Sequence, residues 1–568
     1  MYDSRYGPKT RWSRLGLLLS LVLVFGLLLQ ACASPAPAPA DSGSEAAEAP
    51  AAAPEEAAAP EAAAEAGTSG GTLRFGRYAD SLFLDPVLND ANLDIWVLNS
   101  LYDTLFQSTL DGTGIEPMLA EGYEVSEDGL TFTATLRPDT MFADGSPITA
   151  DDVKWSLDRA RNPENGIWSF SLEAVDSVEV QGDNQIVINL SRPDPALPAA
   201  LAMFNSAVMP QQLFEAMPGE TDEEKAQAFA EKPIGSGPFM LTEWERGNYM
   251  VMERNPYYWQ TDDNGVQLPY LDAVRYEIIP EDATRILKLQ GGEIDAAEFI
   301  PLSRVAELDA DPNINMELFP STKVNDILMN NRETLPDGTE NPLSSQQVRQ
   351  ALNYATDKDA LIQVVTFGTG KPMGSYMSST TPLFAQQEMY SFDLEKAKAL
   401  MEEAGYPDGF DVSILAIAGN ADDAALTTAL QQMWSQIGVN LVIEPVDSAT
   451  RTERYRNNDF QMRTAAWTND INDPSQITSY FAIYDVVESL HTGFQNAELE
   501  DLFQQSQAEL DPAARADQYA RIQEIYVDAA PIVFLYETPY PVALRSNVEG
   551  FYQIPLGQNL FVRASIAE

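Results

Sequence analysis

An α/β fold built in more than one lobe is what the sequence predicts for residues 71–568, on three observations. A stretch of this length exceeds what one simple hydrophobic core organises. Strand and helix signals alternate through most of it, which points to layered α/β architecture. The clearest run, around residues 411–443, reads as strand, helix, strand. There DVSILAIA is a continuous apolar run of strand length, and the next segment sets Leu426, Leu430, Met433 and Ile437 on one helical face. Gly438 stops that helix, and VNLVIEPV alternates Val439, Leu441 and Ile443 as a second strand. Two strands joined through a helix pair in parallel by a right-handed crossover.

At the N-terminus, Arg5, Lys9, Arg11 and Arg14 precede an uncharged, largely apolar run over residues 15–29. This is the layout of a secretory signal, with an apolar stretch too short to span a bilayer. Leu29-Gln30-Ala31-Cys32 resembles a lipobox, with Gln30 where a small residue is more usual. The resemblance implies a signal over residues 1–31 and a diacylated Cys32. Cys32 is the only cysteine, so no disulfide framework exists. Residues 32–70 are nearly all Ala, Pro, Glu, Ser and Gly, a composition with almost nothing large and apolar to bury. They are expected to form a disordered tether reaching up to roughly 100 Å.

The body that follows has an ordinary apolar content (45% over the chain). It contains no later stretch of about 18 apolar residues that would cross a bilayer. The formal net charge of −52 argues against nucleic acid and against charge-driven binding to an anionic membrane. EKAKALMEEAG sets Ala397, Leu400, Met401 and Ala404 on one helical face and ends at Gly405. Asp511-Pro512 reads as an N-cap followed by proline at the first helical position, and PIVFLY as a buried strand. No internal repeat is present.

Six blocks of the body, in order, resemble the solute-binding proteins of peptide and nickel ABC importers. They are GGTLRFGRYADSLFLDPVLND at the start of the body, LAEGYEVSEDGLTFTATLRPDTMFADGSPITADDVKWSLDRA (119–160), PIGSGPFMLTEWERGNYMVMERNPYYW (233–259), VRQALNYATDKDALIQVVTFGTGKPM (348–373), DLEKAKALMEEAGYPDGFDVSI (393–414) and DPAARADQYARIQEIYVDAAPIVFLY (511–536). The resemblance implies a two-lobed clamshell of the periplasmic-binding-protein type, with an extra subdomain in the first lobe. On this chain it implies first-lobe core at 71–112 and 232–318, the extra subdomain at 113–231, the second lobe at 319–530 and a return to the first lobe at 531–568. It further implies an extracytoplasmic monomer without cofactor, which delivers a peptide or other small solute to permease subunits served by separate ATPase chains. Membrane contact would be through the lipid alone.

The resemblance also implies a ligand site. In dipeptide- and oligopeptide-binding relatives, an aspartate three residues after a tryptophan holds the peptide's amino terminus. Here Asp470 follows Trp467 in AAWTNDINDPSQ. A buried ammonium needs an ionised partner, and a carboxylate gives it a charge-assisted bond. The backbone of Trp467, Thr468 and Asn469 suits strand addition by an extended peptide, which reads length and not side chains. Asp473 reads as a turn residue before Pro474. Arg463 lies one residue out of step with the arginine that receives a peptide carboxylate in some relatives, and Thr464 holds the matching position. A one-residue offset turns a strand side chain to the opposite face, so that role is not carried over. Asn89, Asp90 and Ala91 match the first-lobe stretch that flanks the ligand in relatives.

Enzymatic constellations are scarce. His491 is the only histidine and reads as plain surface, so a multi-histidine metal site is impossible. GSGPF at 235–239 lacks the Gly-Lys-Ser/Thr of a phosphate loop. Alternatives within the receptor class are an oligosaccharide, an opine or a nickel complex. A secreted lipoprotein hydrolase using two carboxylates is the alternative from another class.

Overall fold

The computed structural model describes residues 70–89, 91–487 and 489–567. The residues expected to form a signal and a tether, Cys32 among them, lie outside the described residues up to 69, as does Asp90. Two large sheets organise the rest. The first has seven strands, in the order Ile314–Phe319, Tyr540–Arg545, Ala296–Ala297, Thr72–Arg77, Ala273–Ile278, Tyr249–Arg254 and Phe239–Glu245. Thr72–Arg77 runs parallel to both neighbours, and the remaining pairs are antiparallel.

The second sheet has six strands, in the order Lys371–Pro372, Ile532–Glu537, Val324–Met329, Met462–Trp467, Phe410–Ile417 and Val439–Val446. Its core follows the period-2 alternation of Val324–Met329. Ile327 and Met329 join one buried cluster with Leu352, Leu430 and Trp434, while Val324 and Leu328 join another with Tyr376, Phe481 and Tyr526. Both faces of this mixed sheet are thus covered.

The strand–helix–strand reading is met in detail. Phe410–Ile417 and Val439–Val446 pair in parallel along their whole length, joined by the helix Ala421–Trp434. Leu426, Leu430 and Ile437 are buried as expected, whereas Met433 is only half-buried and the neighbouring Trp434 fills the core. Gly438 adopts φ +81°, and a Cβ on Gly409 would lie 1.9 Å from the Gly438 carbonyl oxygen. The two turns that launch the parallel strands pass too closely for any side chain. Asp511 caps the helix Pro512–Ala529, accepting from the Ala513 and Ala514 amides at 2.9 and 3.0 Å.

A smaller antiparallel sheet, in the order Ala120–Val125, Thr131–Leu136, Gln185–Leu190 and Val175–Gln181, packs with the helix Ala150–Ala160 in the core that also contains Phe75 and Val274 of the first large sheet. Thr149 and Asp152 close a capping box at the start of that helix.

Residues 320–323 and 538–539 carry the chain between the two large sheets. The crossings lie side by side: Thr538 N donates to Lys323 O at 3.2 Å, Asn325 Nδ2 to Thr538 Oγ1 at 3.2 Å, and Ser321 Oγ to Thr538 O. Two short crossing segments bound to each other form a natural hinge between two α/β lobes. The return at 531 is corrected by this geometry. Ile532–Glu537 stays in the six-stranded sheet, hydrogen-bonded to Val324–Met329, and the chain leaves only at 538. No helix of the described residues is long and apolar enough to cross a membrane.

Candidate ligand-binding site

Met462–Trp467 is an interior strand whose pairing is uneven. On one side it pairs with Val324–Met329 along its length, ending with Trp467 opposite Val324. On the other side only Met462 and Arg463 pair, with Ile414 and Leu415. Beyond Arg463 that edge of the strand has no ladder partner, the condition for strand addition by an extended ligand.

Past Trp467 the chain runs into the opposite lobe. Asn469 N donates to Thr322 Oγ1 at 2.8 Å, beside the crossings, and Ile471 is buried in the hydrophobic core of the first lobe. Asn472 Nδ2 donates to Gly114 O at 2.6 Å. The lobes are therefore in contact through this loop.

Asp470 sits where the lobes meet. Its side chain pairs reciprocally with Gln476: Gln476 Nε2 donates to Asp470 Oδ2 at 2.9 Å, and Asp470 N donates to Gln476 Oε1 at 2.9 Å. Some of its surface stays open, yet protein surrounds it closely enough that burial pushes its carboxyl up to about 6, against the opposing Gln476 bond. Tyr480 and Tyr540 both sense this charge: burial first, and Asp470 second, push their phenols upward. Tyr540 belongs to the seven-stranded sheet, so the carboxylate faces both lobes. Among the described residues no cation forms an ion pair with it.

Aromatic rings wall the same region. The Trp467 ring lies 4.8 Å from Tyr480 and 5.8 Å from Phe481, and its Nε1 donates to Asn469 Oδ1 at 3.1 Å. From the first lobe, Tyr540 lies 5.8 Å from Trp96, which stacks on Phe299 at 5.3 Å, and Phe299 lies 4.8 Å from Tyr78.

The structure brings Trp467, Thr468, Asn469 and Asp470 together, but the Asn469 side chain is occupied, donating to Thr381 Oγ1 at 3.1 Å. Asn89 and Ala91 are engaged by other residues. Asn89 Nδ2 donates back to Asp85 O and Pro86 O, its carbonyl accepts from Trp168 Nε1, and Ala91 is the N-cap of the helix Asn92–Leu101. Among the described residues no hydrogen bond, ion pair or ring contact joins either residue to 467–470. Arg463 lies over the Tyr455 ring, 4.1 Å from its centroid, while Thr464 Oγ1 donates to Asp423 Oδ2 on the opposite face. The one-residue offset does reverse the face.

Two residues differ from their sequence reading. Asp473 caps its turn by accepting from Ser475 N, but it is also bidentate to Arg515, at 2.8 and 2.9 Å. His491 is half-buried, 4.5 Å from the Tyr455 ring, with Nδ1 3.1 Å from Asn458 Oδ1. Gln476, Tyr480 and Tyr540 were missed. Pro474 starting a helix was the available signal for Gln476, in the first turn, and Tyr480 lies four residues on, one turn further along the same face. Tyr540 is distant in sequence and carries no such signal.

Comparison with known proteins agrees with this architecture. Residues 114–485 match the model of the bacterial extracellular solute-binding proteins, family 5. The chain is 27% identical over 499 residues to the probable D,D-dipeptide-binding periplasmic protein DdpA of Escherichia coli, covering 86% of this chain and 93% of that one. It is 28% identical over 491 residues to the E. coli dipeptide-binding protein, covering 82% and 89%. Among solved structures it resembles the ABC transporter-associated periplasmic binding protein DppA of Helicobacter pylori in complex with the peptide STSA. That match has a TM-score of 0.73 and 26% identity and covers 88% of this chain and 99% of the other. These relatives are binding proteins, and none supports the paired-carboxylate hydrolase. The chain belongs to family 5 of the bacterial extracellular solute-binding proteins: it binds a solute outside the cytoplasm and is not an enzyme.

Proposed function

We propose that this receptor captures a peptide-like solute with a free ammonium group between its lobes and delivers it to the permease of an ABC importer. An acylated Cys32 and the tether of residues 32–70 would hold it at the membrane. The observation that carries the solute reading is Asp470: a carboxylate between the lobes, without a protein cation, at the end of a strand whose outer edge is unpaired. An ammonium there gains a charge-assisted bond, while the strand edge and aromatic walls accept backbone and side chains without reading sequence. Lys323, half-buried, immediately precedes Val324, the strand partner of Trp467, so this rim offers charge of both signs and suits a zwitterion. The printed names of the E. coli relatives and the peptide held by the H. pylori protein point the same way.

The contacts between lobes give binding a conformational output. Ile471 in the first-lobe core, Asn472 on Gly114 O and Arg192 Nη1 on Gln507 O, at 3.3 Å, all hold the closed form. A solute shifts the open–closed balance only by binding that form better, and a buried ion pair at Asp470 exists only there.

A thermal-shift screen with di- and oligopeptides, their N-acetylated forms and neutral oligosaccharides tests the solute class. Stabilisation by free-amine peptides alone supports the proposal, and stabilisation by oligosaccharides alone overturns it.

A further inference from the structure

The pairing of the seven-stranded sheet shows which of its ends meets the second lobe. Phe319 and Tyr540 are the last pair of their two strands, and the crossings leave directly after Phe319 and arrive directly before Tyr540. At that same end Thr72–Arg77 and Ala296–Ala297 run parallel, with Gly76 opposite Ala297. The next residues continue side by side. Arg77 Nε donates to Glu298 Oε1 at 3.1 Å, and the Tyr78 and Phe299 rings lie 4.8 Å apart. Ala296 belongs to one core and Ala297 to another, so the two cores cover opposite faces of the sheet. The helix after Thr72–Arg77, Asn92–Leu101, packs in the first core; the helix after Ala273–Ile278, Asp282–Gln290, packs in the second. Connections that part in this way open a crevice beyond the carboxyl ends of the strands. Tyr78 and Phe299 stand at those ends.

Phe299 is the unusual member. Its φ is +52°, a left-handed backbone that strains a bulky residue and persists only where the surroundings over-determine it. Here they do. The fully buried Arg285 donates Nε to Glu298 O at 3.2 Å, Nη2 to Phe299 O at 3.1 Å and Nη1 to Ile279 O at 2.8 Å. In this conformation the Phe299 ring lies nearly flat against Trp96, at 13°, and edge-on to Tyr78. Trp96 is buried, whereas Phe299 and Tyr78 are half-buried. The outer two rings of the wall therefore keep apolar surface uncovered at the end of the sheet that meets the second lobe.

We infer that Phe299 and Tyr78 select a large apolar side chain on the solute residue that carries the ammonium. This rests on the proposed pairing of that ammonium with Asp470. Tyr540 connects the two places: its ring lies 5.8 Å from Trp96 and 6.4 Å from Phe299, and burial first and Asp470 second push its phenol up. A solute amine at Asp470 thus has its own side chain nearest this wall. The charges beside the wall are consumed, Arg77 by Glu298 and Arg285 by Asp282 and backbone carbonyls. A charged side chain would lose its water there without gaining a partner, while an apolar one removes ring surface from water. Packing alone gives no reason to hold a phenylalanine in a costly backbone conformation, whereas such positions cluster at ligand clamps.

Calorimetry on the full chain at pH 7.5 with Phe-Ala-Ala, Leu-Ala-Ala, Ala-Ala-Ala and N-acetyl-Phe-Ala-Ala tests the inference. The Phe-first and Leu-first peptides should bind at least about tenfold tighter than the Ala-first one. In Phe299→Gly, which removes the ring and suits the left-handed backbone, that preference should collapse while Ala-Ala-Ala binds as before. If this variant does not fold, Tyr78→Ala is read in the same way. Equal affinity for the Phe-first, Leu-first and Ala-first peptides, or an undiminished preference in the variant, overturns the inference. If N-acetylation still weakens binding in that case, the ammonium reading stands and only the side-chain selection falls. If N-acetylation costs nothing, or none of the peptides binds, the reading beneath it falls as well.

Discussion

Two carboxylates in one short loop have opposite fates. Asp473 is bound by both oxygens to Arg515, both side chains being nearly buried, and this ties the loop to the helix Pro512–Ala529. Asp470 meets only the neutral amide of Gln476, and burial raises its carboxyl to about 6. One charge is consumed by the fold and the other is kept for something else. The difference teaches how one loop can hold two carboxylates in different states: the rigid ion pair fixes the loop while the second carboxylate stays desolvated without a protein cation. A carboxylate held this way binds an ammonium more strongly than an exposed one would, because the surrounding dielectric is lower.

The comparison breaks if the two residues respond alike to substitution. The largest effect is expected for Asp473→Asn, which strips the buried Arg515 of its bidentate partner and leaves it only the weaker field of Asp194. Stability in urea at pH 7 should fall by about 3–5 kcal/mol. Asp470→Asn should leave stability unchanged or slightly raised. The sign follows from linkage: a carboxyl raised from about 3.9 to about 6 by folding costs nothing below about pH 4. The cost grows between pH 4 and 6 and stays constant above, and the amide removes it. The smallest effect sharpens the picture of closure. Asn472→Ala deletes the bond to Gly114 O between the lobes, and calorimetry should show a roughly fivefold loss of solute affinity, about 1 kcal/mol, with little change in stability.

Legibility from the sequence followed the range of the interactions. The strand–helix–strand unit was readable because its signals are local: apolar alternation, the stop at Gly438 and the Leu426–Leu430 stripe. Trp467 and Asp470 were singled out through a short motif of the family, which ends one strand and runs on into the loop after it. The Asp473–Arg515 pair was not, because a turn-forming aspartate looks the same whether or not a distant arginine reaches it. The end of the second lobe was misjudged at 531 for a related reason. PIVFLY is a buried strand in either sheet, and only its hydrogen bonds to Val324–Met329 decide which. The local bonds of Asn89 likewise depend on how the first-lobe turn folds back onto Asp85 and Trp168.

The central claim is that Asp470 pairs with a solute ammonium, and a four-way calorimetric cycle tests it most directly. The protein and its Asp470→Asn variant are each titrated with a peptide and with its N-acetylated form at pH 7.5. Either change alone should weaken binding by at least roughly thirtyfold, about 2 kcal/mol, because it strips one partner from a desolvated pair. Together they should cost little more than either alone, since both remove the same interaction. Repeating the free-peptide titration at pH 5 should lower affinity in the unaltered protein, as Asp470 takes up a proton below about 6, and leave the variant unmoved. Additive losses, or undiminished binding by Asp470→Asn, would contradict the account.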